Sequence, residues 1–284
     1  MLRPMDIAEG LESFAARTPT LPPATHTQSY ALGARDVLLV EPATPYDDER
    51  RQWLAWATGL ASKGRRLVAI LLTHHHPDHA GGAAFFAREL GLPLWAHAMT
   101  RDRVPDASVG RELADGDVVV LDGPTPERWE ALHTPGHAPG HVCLYEPSRG
   151  FLVAGDMVAS EGTILVEPVD GDMALYIEQL ERLRALGAKT VLPAHGGPID
   201  DPDALFERYV RHRRMREHRV LRALSRAGVQ GATAAELVPD AYDDTPKAAW
   251  GIAAMSVAAH LVKLEREGLA RRADERYVAS GNAL

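Results

Sequence analysis

The chain has 284 residues, of which 45% are hydrophobic and 25% charged, ordinary values for a soluble globular protein of one or two domains. The formal net charge of -8 argues against a surface built throughout for nucleic acid. A single cysteine, Cys143, excludes an internal disulfide and is predicted to be a buried thiol in a reducing compartment. No signal-peptide core and no stretch of roughly 18 apolar residues is found, so we expect a cytoplasmic protein without a membrane partner.

Short apolar runs bounded by turn residues predict strands in the first part of the chain. These runs are Val37–Val40, Leu67–Leu72, Val118–Leu121, Val142–Tyr145 and Phe151–Ala154. Residues 1–25 are mixed and contain proline, and we expect them to pack on the outside of the fold. Apolar residues at helical spacing predict a helix from Asp172 to Leu186, ahead of Gly187. The mixture of strands and helices indicates an α/β sandwich with helices outside.

The pattern changes after about residue 203, where helical periodicity dominates. The predicted elements are a long helix over 203–227, helical segments over 233–237 and 247–267, and a small hairpin over 268–278. Three helices followed by a hairpin are typical of a winged-helix unit. We therefore predict a catalytic domain over residues 1–205 and a bridging helix with a winged-helix domain over residues 206–284.

The long helix carries eight arginines between Arg208 and Arg226. The first interpretation is a solvated face that pairs with acidic side chains. The second is a track for the phosphate backbone of RNA or DNA. No aromatic side chains interleave with the stripe, so base stacking is not predicted. Arg213 differs because its angle places it within the apolar face, where we expect it to pair with a buried carboxylate or to reach the cleft.

A cluster of potential metal ligands lies directly behind the predicted strand Leu67–Leu72. The segment reads His74-His75-His76-Pro77-Asp78-His79 and is followed by Ala80-Gly81-Gly82. Imidazole and carboxylate suit zinc, iron or manganese, and the absence of thiolates argues against a structural zinc finger. His75 lies between two ligand candidates and is expected to point away. Further candidates, each after an apolar run and beside glycine or proline, are His137, Asp156 and His195.

In this order the motifs resemble those of the metallo-β-lactamase fold superfamily of binuclear hydrolases. The resemblance spans residues 30–200 and implies an αββα sandwich, with the metals at the sheet edge between its two halves. It implies one metal held by His74, His76 and His137, another held by Asp78, His79 and His195, and Asp156 as the bridging ligand. Two divalent ions are expected, zinc first and manganese or iron as alternatives, with Asp78 and Asp156 as the catalytic carboxylates.

A closer resemblance, nearly end to end, is to the LACTB2-like group with a winged-helix tail. Its members include a single-strand-specific endoribonuclease and fungal thioesterases that release polyketides from carrier proteins. The resemblance is carried by His133–His137, Gly155-Asp156 with Glu161–Thr163, Tyr176 and Leu180, His212-Arg213 with Arg216-Glu217, and the tail segment His260–Glu265 with Glu267-Gly268.

The chain departs from the family pattern at Val40-Glu41-Pro42, where Asp-x-Gly is usual after the second strand. This departure calls into question the contacts behind the ligands, although not the ligands themselves. Metal-binding histidines normally donate their second ring nitrogen to such a contact. His133 and His141 are candidates for this supporting role, with a purely structural role as the alternative.

The resemblance implies a dinuclear metal-dependent hydrolase that uses a metal-bridging hydroxide on an ester, thioester or phosphodiester bond. Asp156 argues against antibiotic hydrolysis, because β-lactam-hydrolysing members lack that aspartate. Net acidity favours a small acyl or thioester substrate, whereas the arginine stripe and the LACTB2-like resemblance favour single-stranded RNA. A mononuclear iron dioxygenase and a binding module with a vestigial enzyme are further alternatives. The winged helix is expected to cap the active-site cleft or to mediate homodimerisation.

Overall fold

The computed structural model describes residues 3–281 and contains strands and helices throughout. The strands are β1 (Met5–Ala8), β2 (Leu11–Arg17), β3 (His26–Leu32), β4 (Asp36–Val40), β5 (Arg66–Leu71), β6 (Leu94–Ala96), β7 (Val109–Glu112), β8 (Val118–Leu121), β9 (Glu127–His133), β10 (Val142–Glu146), β11 (Phe151–Gly155), β12 (Thr190–Pro193), β13 (Ala270–Ala273) and β14 (Arg276–Ala279). The α-helices are α1 (Asp47–Ser62), α2 (Pro77–Ala80), α3 (Ala83–Leu90), α4 (Ala98–Arg101), α5 (Met173–Ala185), α6 (Pro202–Arg226), α7 (Ala234–Ala241) and α8 (Trp250–Arg266).

Twelve of these strands form two large sheets. The first contains β1 to β7 in chain order, antiparallel from β1 to β4 and parallel from β4 to β7. The second has the order β12-β11-β10-β9-β8 and is antiparallel except for the β11–β12 pair. All five predicted strands are present, with ends that differ by at most one residue.

The two sheets pack face to face around one apolar cluster. Strand β4 explains the arrangement, because successive side chains of a strand point to opposite faces. Leu38 and Val40 belong to the cluster between the sheets, whereas Leu39 packs on the outer side with Trp53 of α1 and Phe86 of α3. Both faces are therefore buried, and the strand reads as a continuous apolar run.

The expectation that residues 1–25 pack on the outside is wrong. Strand β2 lies between β1 and β3 in the first sheet, with Leu11 in the cluster between the sheets and Phe14 among the side chains packed with α1. Its polar residue Glu12 is 7% exposed and forms an ion pair with Arg65. A buried carboxylate with a charged partner fits inside a sheet, so the mixed composition of this segment was misleading.

The chain contacts divide the protein into two compact units. The first comprises the chain up to Thr134 together with Gly140–Thr163 and Gly187–Pro202. The second comprises Pro135–Pro139, Ile164–Leu186 and the chain from Asp203 onward. A division at residue 205 was predicted along the chain, whereas this grouping assigns two earlier segments to the second unit.

The C-terminal part of the second unit has the elements that the sequence predicts. Helix α6 is followed by α7, α8 and the β13–β14 hairpin, and these share one apolar core. A capping box formed by Thr233 and Glu236 fixes the start of α7. The core is composed mainly of aliphatic side chains such as Val220, Leu224 and Leu261. None of the described helices has both the length and the apolar character needed to cross a membrane.

His212 on α6 makes the stability of this unit depend on pH. Burial, and then the charges of Arg213 and Arg216, lower its pKa to about 4, with Asp244 opposing and His260 adding to the shift. Its Nε2 also accepts a hydrogen bond from Arg216 Nε at 3.2 Å. An unfolded histidine has a pKa near 6.5. Between about pH 6.5 and pH 4 the unfolded state therefore binds more protons, and stability decreases as pH falls.

We expect the melting temperature to fall between pH 7 and pH 5 by about 2–4 °C more in the wild type than in a His212→Gln variant. Glutamine keeps an acceptor for Arg216 and does not titrate in this range. Thermal denaturation followed by circular dichroism at both pH values provides the measurement. An equal fall in the two proteins would show that His212 contributes nothing to the acid sensitivity.

Candidate metal centre

The predicted ligands of the first unit follow the carboxyl ends of three strands. His74 and His76 come just after β5, and Asp156 comes directly after β11. His195 follows β12, which pairs in parallel with β11. Since both pairs β4–β5 and β11–β12 are parallel, the loops of each pair leave its sheet at the same edge. Short helix α2 begins with a proline at its first turn, which favours a helix start.

Four of the predicted ligands form one tight cluster. His79 Nε2 lies 3.4 Å from Asp156 Oδ1 and 3.8 Å from Asp78 Oδ2. His195 Nε2 lies 3.3 Å from the same Asp156 atom and 3.5 Å from the same Asp78 atom. Two imidazole nitrogens thus converge on two carboxylates. Asp78, His79 and His195 each offer a ligand atom within 4.8 Å of the others.

His74 and His76 form a second group of nitrogens beside this cluster. His74 Nε2 lies 3.0 Å from His76 Nδ1, and His74 Nδ1 lies 3.0 Å from Thr73 Oγ1. His74 is fully buried, and a ligand atom of His74 lies within 4.8 Å of those of His79 and Asp156. The structure therefore brings His74, His76, Asp78, His79, Asp156 and His195 together within the first unit.

The rings of His79 and His195 are held by hydrogen bonds at their outer nitrogens. His79 Nδ1 lies 3.1 Å from Glu41 Oε2, and His195 Nδ1 lies 3.1 Å from the His26 carbonyl oxygen. A carboxylate and a carbonyl only accept, so each Nδ1 donates. In the neutral tautomer each Nε2 then carries the lone pair, which is the form that binds a metal.

His137 is placed in the second unit by its own set of contacts. Its Nδ1 lies 2.8 Å from the Leu165 carbonyl oxygen, so the same tautomer argument assigns the lone pair to Nε2. Gly136 has φ +135° and packs closely on Tyr176. A Cβ added to Gly136 would lie only 2.3 Å from the backbone nitrogen of Tyr176. Asp172 N donates to the Gly136 oxygen at 2.8 Å. The metal role of His137 itself stays a prediction.

The carboxylates of the cluster act on the pKa values of the two histidines beside them. Burial acts to lower the pKa of His79, but Asp156, Glu41 and Asp78 outweigh it and raise that pKa well above the usual range. The pKa of His195 is also raised, against the effect of burial, chiefly by Asp156. Bound cations would compensate the carboxylates in place of the histidine protons, and the imidazole and carboxylate donors suit divalent transition metals.

Glu41 is a functional contact that the sequence analysis left in question. Its side chain is 1% exposed, and besides His79 it accepts a hydrogen bond from Thr73 N at 3.3 Å. Its backbone has φ +62°, unusual for a residue with a side chain, and its carbonyl accepts from Ser29 Oγ at 2.5 Å. A carboxylate therefore does contact a predicted ligand here, and the family pattern of an aspartate near this position was the available signal.

Of the two supporting histidines considered, His141 contacts a predicted ligand. Its Nε2 accepts a hydrogen bond from Asp156 N at 3.0 Å, and the ring is fully buried. Gly155 has φ +48°, and a Cβ there would lie 2.4 Å from that same Nε2, so glycine is needed for the approach. His133 instead stacks on His97, with ring centroids 4.0 Å apart.

His75 and Cys143 were not predicted to be metal ligands. His75 is half-buried and lines a cavity of about 390 Å³ with Phe85 and Arg103. Cys143 is fully buried, as predicted, and its Sγ lies 3.3 Å from Thr134 Oγ1. Cys143 is not among the residues grouped as potential metal ligands, whereas His75 offers a ligand atom within 4.8 Å of one of His76.

The arginines of α6 divide into paired and unpaired groups. Arg214 pairs with Glu181, and Arg219 pairs with Asp243 and Asp244. Within residues 3–281, no hydrogen bond or ion pair involves the exposed side chains of Arg208, Arg211 and Arg222. Some arginines of α6 thus pair with acidic side chains, as the first interpretation predicts. The three exposed arginines could contact a ligand.

Within residues 3–281 Arg213 forms no ion pair with a carboxylate, which was the first of the two contacts expected for it. Its Nη2 donates to the Ile164 carbonyl oxygen at 2.5 Å, and its guanidinium carbon lies 5.2 Å from the centroid of the Tyr176 ring. The side chain is nevertheless 3% exposed, because its position on the apolar face of α6 directs it inward.

Comparison with known proteins identifies two family matches along the chain. The Metallo-beta-lactamase superfamily matches residues 23–195, and the Beta-lactamase associated winged helix domain matches residues 233–278. The first match ends at His195, the last of the predicted ligands. The predicted α/β fold with a C-terminal winged helix is confirmed by these two matches.

Individual relatives extend the similarity over both parts of the chain. The Beta-lactamase-like protein 2 homolog of Drosophila melanogaster is 28% identical over 266 residues, which cover 89% of this chain and 87% of that protein. The atrochrysone carboxyl ACP thioesterase of Aspergillus fumigatus is 30% identical over 200 residues, 70% of this chain and 59% of that protein. A metallo-beta-lactamase family protein of Thermus thermophilus superposes with a TM-score of 0.79 at 27% identity, covering 97% of this chain and all of that one.

Proposed function

Because the chain belongs to the metallo-beta-lactamase superfamily and is a metal-dependent hydrolase, we propose that it cleaves an ester or thioester at a centre of two divalent metal ions, with zinc as the expected metal. The proposed ligands of one ion are His74, His76 and His137, those of the other are Asp78, His79 and His195, and Asp156 is shared. The observation that carries the proposal is the convergence of His79 Nε2 and His195 Nε2 on the two aspartates.

The protein contributes a preorganised set of donors. Glu41 orients His79, the carbonyl of His26 orients His195, and His141 holds the backbone of Asp156. When bound, divalent metals lower the pKa of coordinated water and polarise the bond that is attacked. The buried donors keep the site low in dielectric, which strengthens their interaction with charge that develops in the transition state.

An acyl substrate is favoured over RNA on two grounds. The chain has a net charge of -8, which opposes the approach of a polyanion. One similar protein carries the name of a thioesterase that acts on an acyl carrier protein. Because of that relative, thioesters are the first compounds to screen.

Removal of metal should abolish hydrolysis reversibly. Elemental analysis of the purified protein is expected to find about two divalent ions per chain. Dialysis against a chelator should lower thioester hydrolysis by about 10³-fold, the effect of losing roughly 4 kcal/mol of transition-state stabilisation. Added Zn²⁺ should restore the rate. One iron per chain would favour oxygenase chemistry instead, and no metal would favour a binding role.

Single-stranded RNA is the second candidate substrate, because Arg208, Arg211 and Arg222 are exposed without partners in the described residues. A triple variant with glutamine at these positions distinguishes the two candidates. If the substrate is an acyl compound, we expect its kcat/KM to be unchanged in the variant. Binding of RNA through three arginines would instead give a log–log salt slope of about -2, lost in the variant.

A further inference from the structure

Arg213 is an unusual residue within the second unit. Its side chain is 3% exposed, and within residues 3–281 no carboxylate lies within ion-pair distance of it. Removing a guanidinium group from water without a counter-charge is unfavourable. Two weaker partners compensate in part, namely the Ile164 carbonyl oxygen and the face of the Tyr176 ring. A well-packed apolar side chain would serve stability alone at least as well.

Both groups that Arg213 contacts lie next to groups that contact His137 or its neighbour Gly136. The carbonyl of Ile164 accepts from Arg213 Nη2 at 2.5 Å, and the next carbonyl, of Leu165, accepts from His137 Nδ1 at 2.8 Å. Tyr176, which lies under the guanidinium group, packs against Gly136 so closely that no Cβ fits between them. The ring of His137 thus contacts the residue next to Ile164, and the preceding Gly136 packs on Tyr176, while Arg213 contacts both Ile164 and Tyr176.

From these contacts we infer that Arg213 is a positioning residue for His137, an inference that rests on the proposed metal centre. Arg213 on α6 fixes the Ile164–Leu165 backbone, and this backbone fixes the ring of His137 with Nε2 as the donor nitrogen. An outer contact of this kind controls ligand orientation, and its loss typically costs about 10–100-fold in metal affinity. These contacts therefore all lie within the second unit, to which Arg213, Ile164, Leu165 and His137 belong.

The test compares Arg213→Met with a matched buried arginine on the same helix. Arg216 is 6% exposed, donates to the Ala241 carbonyl oxygen at 2.9 Å and pairs with Asp244, so its contacts do not include the Ile164–Leu165 backbone. Arg216→Met is therefore expected to reduce thermal stability without changing metal affinity. Zinc affinities of both full-length variants are measured by competition with a chromophoric chelator, and Co²⁺ spectra report the ligand field of each site.

In Arg213→Met we expect one of the two zinc affinities to fall about 10–100-fold while the other stays within about twofold of the wild type. Arg213→Lys keeps the charge but not the forked geometry, and it should give a smaller fall of the same affinity. This second variant keeps the test decisive if the methionine variant does not fold.

Three outcomes would overturn the inference. Unchanged affinities in a folded Arg213→Lys or Arg213→Met protein would show that His137 does not depend on Arg213. Equal losses in the Arg213 and Arg216 variants would assign the effect to general destabilisation. A wild-type protein that binds no metal would overturn the proposed function as well, and that result is visible before any variant is made.

Discussion

Replacement of Asp156 by alanine is expected to remove most of the bound metal and to lower kcat/KM by about 10³-fold or more. Asp156 Oδ1 is within 3.4 Å of His79 Nε2 and 3.3 Å of His195 Nε2, so this oxygen lies at the centre of the ligand cluster. Without it, two imidazoles lose the anion that they share, and both proposed ions lose a ligand at once. Loss of a single peripheral ligand would affect one ion only.

The measurement is elemental analysis together with steady-state hydrolysis of a thioester. Asp201→Ala is the matched control, because Asp201 is exposed and lies directly before α6. It should retain the metal content and activity of the wild type. If Asp156→Ala kept about two metals per chain, the assignment of Asp156 as the shared ligand would be wrong even if activity were lost.

Substitution of Glu41 is the second large effect that we expect. Its Oε2 orients His79, which is fully buried, and its Oε1 accepts from the backbone of Thr73. Glu41→Gln is nearly isosteric, but it removes the charge and should reduce zinc affinity by about 10-fold. Glu41→Gly should reduce it by about 100-fold, at the upper end of the effect of such outer contacts.

The glycine variant is chosen because Glu41 has φ +62°, a conformation that glycine adopts without strain. The glycine variant removes the carboxylate without leaving a strained backbone at residue 41. An alanine variant would keep the strain of a positive φ and would mix the two effects. Leaving the buried N–H groups of His79 and Thr73 without an acceptor should cost about 1–3 kcal/mol of stability. Chelator competition measures the affinities, and zinc affinities equal to the wild type in both variants would exclude a role for Glu41 at the centre.

The candidate ligands could be predicted because each lies in a short local pattern. A buried strand followed by His74 to His79, or by Gly155 and Asp156, is visible in a few residues of sequence. Strand β5 and strand β11 have both faces buried along much of their length, so they read as apolar runs. The long helix α6 was also predicted from a local pattern, to within one residue at each end. Its apolar residues recur at helical spacing over many turns.

The contacts behind the ligands could not be predicted in this way. Glu41 is 38 residues from His79 in the chain, and His26 is 169 residues from His195. Strand β3, which supplies the His26 carbonyl, was not predicted, because its polar residues Thr27, Gln28 and Ser29 conceal a buried strand. Their hydrogen-bond partners include groups far along the chain, such as the Gly196 carbonyl oxygen that accepts from Gln28 Nε2.

The sequence by itself determined the superfamily, the type and order of the candidate donors, and those strands and helices that have a clear apolar pattern. These properties follow from side-chain chemistry and from periodicity, and both are local. Only the tertiary structure decided which nitrogen of His79 and of His195 faces the cluster, that Glu41 contacts His79, and that Arg213 donates to a carbonyl oxygen. The physical reason is that a hydrogen bond depends on distance and angle, which for residues far apart in the chain are set by how the sheets and helices pack.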